Sequence, residues 1–397
     1  MPTFHLLHAA GFDPDAVLPQ PPARLRGLFA SASLAAVEQL VTRAIELEVD
    51  AVVVMPVPAI DGLSRGPSLH AEAALREQFE RLADLDVAAF VVVGQHSEGW
   101  QRLAGGGSNV VVLSPGDVAS VPDHEGRTRA TFRCVDALAA PERSLPIASH
   151  DAVEIVLAPS LSAASVENPS SLRHRYLALG VGDKATVSLG GGIAHAPGAM
   201  QSLGKSCGPH GATLVSIDGA GKPRTEFVST SVLRFEAITV EAEPTDALDD
   251  LALRMTEQLE TRRAEPGEQA WLVRWTVEAS EPLFTSLNDP LGRNELVSLL
   301  PEAIGEVPIV HEVRIVPHSI WPALNDAFAA EFEAALQEQA KSLTDEPFSL
   351  LALPDAAPHR RRLAKLVGGG DATAVLGDAR RFGLRVISAA HDEEASE

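Results

Sequence analysis

The first 115 residues alternate between two periodicities, and this alternation constrains the fold more than any other feature of the chain. Residues 4–8 form a short apolar run of strand length. From Ser33 the apolar residues Val37, Leu40, Val41, Ala44 and Ile45 recur at the spacing of one helical face. Residues 51–55 read as a fully buried strand, Leu75, Phe79 and Leu82 mark a second helix, and the β-branched runs 87–93 and 110–113 are strands again. Apolar strands separated by amphipathic helices predict a mostly parallel sheet, because each crossover helix lands on a sheet face and buries it.

From about residue 150 the pattern changes to closely spaced strands at 152–157, 176–179, 212–217, 226–228 and 233–240, which predict a second sheet with antiparallel pairs. Residues 241–245 are polar and contain a proline, and a helix follows with Leu248, Leu251, Met255 and Leu259 on one face. Thr245 is its expected N-cap, and a domain boundary is placed there. Strands at 270–277 and 309–316 and a helix with Leu324, Phe328, Phe332 and Leu336 at every fourth position make a small α+β domain over 241–345. That stripe serves either as core or as a docking face for a partner helix. Residues 346–397 form a tail with partner-binding helices as one expectation. His359, Arg360, Arg361, Arg362 and Lys365 are its dense basic cluster, read either as a solvated helix start or as a local contact for phosphates or an acidic partner.

At about 150 residues per domain, 397 residues fit two domains, or three if one is small. An apolar content of 45 % argues against a disordered or fibrous chain. The formal net charge is −22, which disfavours a free-standing basic DNA-binding protein, since a polyanion would have to be held locally. Cys134 and Cys207 have neither metal-type nor redox-type spacing, so a reducing compartment is expected. The first eleven residues lack a basic leader, and no run of about 18 apolar residues is evident, so a cytoplasmic protein without a membrane span is expected.

Several familiar motifs fail on inspection. Gly204-Lys205-Ser206 lacks the glycine spacing of a phosphate-binding loop, and Pro209 follows where a helix is required. The triple glycines at 105–107, 190–192 and 368–370 do not fit a dinucleotide fingerprint, and no Gly-x-Ser-x-Gly elbow is present.

Ligand-bearing loops of a parallel sheet converge at the carboxyl ends of its strands. There the chain has His8-Ala9-Ala10-Gly11-Phe12-Asp13-Pro14-Asp15, then Met55-Pro56-Val57-Pro58, then Gly94-Gln95-His96-Ser97, and later Ala178-Leu179-Gly180-Val181-Gly182-Asp183 followed by His195-Ala196-Pro197-Gly198. In order and context these segments resemble the calcineurin-like metallophosphoesterases, and within them the SbcD and YhaO-like DNA double-strand-break repair exonucleases, over roughly residues 1–240. The resemblance implies an α/β fold: a four-layer sandwich of two sheets flanked by helices, with 241–345 as an α+β cap. It also implies an SMC-like ATPase partner of the SbcC or YhaN kind, DNA reached through that complex, no membrane partner, and a homodimer as a further option.

The family's two-metal centre needs carboxylate and imidazole ligands around two cations about 3.5–4 Å apart. Here the first-motif aspartate falls on Gly11 and its histidine on Asp13, the bridging aspartate falls on Val57, and the last two histidines fall on Val181 and Asp183. His96 remains at the position that in the family helps stabilise the transition state. Asp13, Gln95 and Asp183 are the remnant metal positions, whose oxygen donors suit manganese or magnesium if any cation is held. The plain alternatives are a turn residue for Asp13, a loop histidine for His96 and a satisfied strand-end histidine for His8. The expectation is a degenerate exonuclease-like subunit without a resident cofactor and with lost or weakened catalysis. The alternatives are a single-metal phosphoesterase acting on a small substrate through Asp13 and Asp183, and a non-enzymatic scaffold.

Overall fold

A computed structural model of the chain describes residues 3–16, 23–57, 66–94, 99–104, 109–123, 125–136, 152–166, 175–202, 204, 206–243, 245–280 and 283–317. It divides into two units, one of Met1–Glu278 with Thr285–Val316 and the other of Ala279–Phe284 with Pro317–Glu397. The described residues of the second unit are Ala279, Ser280, Leu283, Phe284 and Pro317. The first is a mixed α/β body of three multi-stranded sheets flanked by helices.

The first sheet runs in the order β12 (Pro223–Ser229), β11 (Gly211–Ile217), β1 (Phe4–Phe12), β2 (Ala51–Pro56), β3 (Ala88–Val92) and β4 (Val110–Leu113). Strands β1 to β4 are parallel, whereas β11 and β12 are antiparallel additions beside β1. The crossovers β1 to β2 and β2 to β3 are made by α1 (Arg26–Glu46) and α2 (Leu69–Ala83). Phe29, Ala32, Ala36, Val37, Leu40, Val41 and Ala44 of α1 recur every three or four residues and are buried. From Ala36 onward they meet Leu7, Ala9, Val52, Val54, Ala89 and Val91 on one face of the first sheet, whereas Phe29 and Ala32 pack with Leu233, Phe235 and Leu272. Alternation sends Leu6, Ala10, Val53 and Phe90 to the other face. The stretch Ala23–Glu46 is long and apolar enough to cross a membrane by length and composition, contrary to the sequence expectation. In this body it is a half-buried core helix on the sheet.

Ser68 opens α2 by accepting the Ala71 N–H at 3.2 Å, and Asp15 holds Ser68 in turn, taking its N–H at 2.7 Å and its hydroxyl at 2.5 Å. Both helices close the same way: the Val49 N–H reaches the Ala44 carbonyl at 3.2 Å and the Val87 N–H reaches that of Leu82 at 3.0 Å. The left-handed position that this closure requires is occupied by Glu48 at φ 50° and by Asp86 at φ 56°, where glycine is usual.

The second sheet runs β5 (Val118–Pro122), β6 (Thr128–Cys134), β7 (Val153–Ser162), β8 (Tyr176–Val181), β10 (Ile193–Ala196) and β9 (Ala185–Ser188). Its four inner strands are parallel, and β5 and β9 are antiparallel edges. Phe132, Ile155 and Tyr176 face Phe4, Met55 and Phe90 of the first sheet, and the Phe90 and Phe132 rings sit 4.3 Å apart. The two sheets therefore share one buried interlayer. The third sheet has the order β13 (Leu233–Glu241), β14 (Ala270–Ala279), β16 (Val307–Pro317) and β15 (Ala303–Ile304), with α3 (Leu248–Glu260) linking the parallel pair β13 and β14.

Three expectations are corrected. The runs at 212–217 and 226–228 belong to the first sheet, because β11 pairs with β1 rather than with its sequence predecessor. The run at 233–240 opens the third sheet, so the change of sheet precedes 241. Thr245 is not the cap of α3: the helix starts at Leu248 after Ala247, and the Asp250 carboxylate reaches back to the Ala247 N–H at 3.1 Å. The Leu324 to Leu336 stripe and the basic cluster at 359–365 lie outside the described residues.

Candidate functional site

At the carboxyl end of β1 the chain bends at Gly11, whose φ of +63° is in the left-handed region. The segment before β11 returns here: Ala199 bridges Ala10, and the Met200 N–H reaches the Ala10 carbonyl at 3.1 Å. A Cβ on Gly11 would stand 2.9 Å from the Ala199 Cα, so glycine is required both by conformation and by the strand laid against it. Val57 follows β2, half exposed, with its N–H bonded to the Phe12 carbonyl at 2.8 Å.

Asp13 is exposed, and its Oδ1 accepts the Asp15 N–H at 3.1 Å, a turn in front of α2. Gln95 and His96 lie outside the described residues. Asp183 is exposed in the link between β8 and β9. Its charge acts on His210, a half-buried residue just ahead of β11 whose Nε2 lies 3.2 Å from the Ser206 hydroxyl. Burial lowers the His210 pKa. The Ala199 and Ser206 carbonyls and the Asp183 carboxylate pull it back up, and Arg234 opposes them. The structure thus brings Gly11, Ala199, Ser206, His210 and Asp183 to one end of the sandwich, with a lowered-pKa imidazole beside a hydroxyl. Asp13 and Asp183 share no group of metal-holding side chains among the described residues.

Behind this end lies a polar cluster that sequence reasoning did not assemble. His8, on the interlayer side of β1, is fully buried, with Nδ1 bonded to the Tyr176 hydroxyl of β8 at 2.8 Å and Nε2 without a partner among the described residues. Its ring centroid is 6.4 Å from that of His195 on β10. His195 is bonded at both nitrogens, to Thr186 at 2.7 Å and to Thr213 at 2.8 Å. Burial, and then the neighbouring His195, push the His8 pKa well down. Burial, and then Lys184, push His195 down to about 4. Both rings are neutral at pH 7. The alternation Leu6, His8, Ala10 on one strand was the available signal that His8 faces inward.

Among the described residues the donors do not fit a two-metal centre. Gly11, Val57 and Val181 supply no side-chain ligand atom, the Asp13 carboxylate is engaged in its turn, and the His8 and His195 imidazoles point into the interlayer. Among the described residues no group of three or more His, Cys, Asp or Glu side chains is placed to hold a metal.

No protein-family model matches the chain, and no curated protein matches it. Among solved structures, TT1561 of Thermus thermophilus is similar over 57 % of this chain and 99 % of its own, at 12 % identity and a TM-score of 0.31. Another crystal structure is similar over 57 % of this chain and 100 % of its own, at 14 % identity and a TM-score of 0.33.

Proposed function

We propose that this chain is a metallophosphoesterase-type sandwich of the SbcD and YhaO-like kind that has lost its metal centre and acts as a non-catalytic subunit beside an SMC-like ATPase in the cytoplasm. The observation that carries the loss of catalysis is the contact of Gly11 with Ala199. Where the family places a metal-binding aspartate there is neither a donor nor room for one. The bridging carboxylate position is Val57, and removing a bridging ligand abolishes the geometry that activates water between two cations. The link to DNA repair and to the ATPase rests on the resemblance of the strand-end segments.

Calorimetric titration of manganese into metal-stripped protein, paired with hydrolysis of bis(p-nitrophenyl) phosphate, tests the reading. No binding at millimolar manganese and no metal-dependent turnover are expected. One or two tightly bound ions with turnover abolished by Asp183→Ala would overturn it in favour of the single-metal enzyme. Co-elution with an SMC-like ATPase encoded beside it is the expected result for the subunit role, and separate elution contradicts that role.

A further inference from the structure

A broad cleft lies at the opposite end of the sandwich, where strands begin. It has a volume of about 1020 Å³ and opens between the ends of α1 and α2 and the hairpin of β5 and β6. Ligand cavities are typically about 300–1,000 Å³. Phe4, Ile45, Val49, Leu85, Val87 and Val121 give it an apolar floor, and Leu85 is 54 % exposed there.

Its electrostatics favour a cation. The lining carries Glu48, Asp50, Asp86, Asp123 and Asp218 against Arg127 and Arg129. Both arginines are already paired, Arg129 with Asp50, and Arg127 with Asp123 at 3.0 Å and Glu125 at 2.9 Å. Glu48 and Asp86 make no ion pair among the described residues, and each stands just past a helix carboxyl terminus, where the backbone itself is partly negative. An acid there opposes the helix dipole, and a non-glycine residue there takes up left-handed backbone. Folding gains nothing from either choice, yet the chain makes both twice, at the two rims of one cleft.

We propose that this cleft binds an extended basic segment of a partner protein, with lysine or arginine side chains at Glu48 and Asp86 and apolar side chains on the floor between them. Charge complementarity selects the cation, and the breadth and apolar floor select a peptide over a simple polyamine. The proposal stands independently of the lost metal centre.

The test is fluorescence anisotropy of the whole chain with a labelled octapeptide of alternating lysine and leucine at low salt. Its counterpart with serine for leucine, and spermine as competitor, complete the set. Saturable binding, at least tenfold tighter for the leucine peptide, is expected. Glu48→Asn with Asp86→Asn should weaken it at least tenfold. Asn tolerates the left-handed backbone, so the melting temperature should stay level or rise. Glu257→Gln with Glu260→Gln on the exposed side of α3 should leave binding unchanged. Equal binding by the Asn pair, equal binding of the serine peptide, full displacement by micromolar spermine, or no saturable binding would each overturn the proposal.

Discussion

The Tyr176 hydroxyl and His8 Nδ1 lie 2.8 Å apart, a hydrogen bond that crosses from one sheet of the sandwich to the other. Both residues are fully buried, so neither can exchange this partner for water. Tyr176→Phe keeps the ring and its packing but leaves both His8 nitrogens without a protein partner. A loss of about 1–3 kcal/mol is expected, read as a lower urea midpoint at unchanged slope.

Stability should decline on mild acidification. His8 and His195 are held neutral in the folded protein, with His195 at about 4 against an ordinary 6.5. Between those values the unfolded chain binds more protons than the folded one, so stability falls as pH drops from 6.5 toward 4. His195 alone accounts for a loss of about 3 kcal/mol across that window. Urea denaturation at pH 7, 5.5 and 4.5 measures it, and His195→Gln should flatten the slope.

Placing an acid at the end of β1 should damage the fold rather than create a metal site. Gly11→Ala should cost about 2 kcal/mol, from left-handed strain and the approach to Ala199. Gly11→Asp should cost at least as much and add no manganese binding by calorimetry.

The start of the third sheet depends on a buried charge network. Arg234 and Glu236 are each 7 % exposed, and their side chains bond at 2.6 Å. The Arg234 guanidinium also lies 4.2 Å from the Trp271 ring centre, and the Trp271 N–H donates to Glu268 at 2.7 Å. Arg234→Met leaves buried Glu268 without its arginine and Glu236 with only Arg262 at 3.4 Å, and about 3–5 kcal/mol should be lost in chemical denaturation. Glu236→Gln in the same chain should recover part of it.

The parallel half of the first sheet was legible because its residues carry a single message. Val52 to Met55 and Val110 to Leu113 are continuous apolar runs, and α1 keeps its apolar stripe from Phe29 to Ala44, about four turns. Strands β5 and β9 were not legible: as sheet edges they are half exposed, and in Val118–Pro122 and Ala185–Ser188 little hydrophobic contrast remains. The placement of β11 was hidden for another reason. A strand's own sequence reports its burial but not its partner, and Thr213 and Val215 would suit either sheet. At the site, Val57 and Gly11 could be read from the sequence as positions without a ligand atom. The return of Ala199 and the pairing of Ser206 with His210 depend on a segment whose course no periodicity encodes.

The register that pairs Phe4 with Ile217 and His8 with Thr213 makes the amino-terminal strand wait for a partner far downstream. During synthesis β1 can be matched on its β2 side early, but its other side stays bare until β11 has left the ribosome. An open apolar edge of that kind invites pairing between nascent chains on one message. Chains released before Gly211 should therefore accumulate as aggregates. Expression yield should respond to trigger factor or to lower temperature more than the equilibrium stability of the finished protein would suggest.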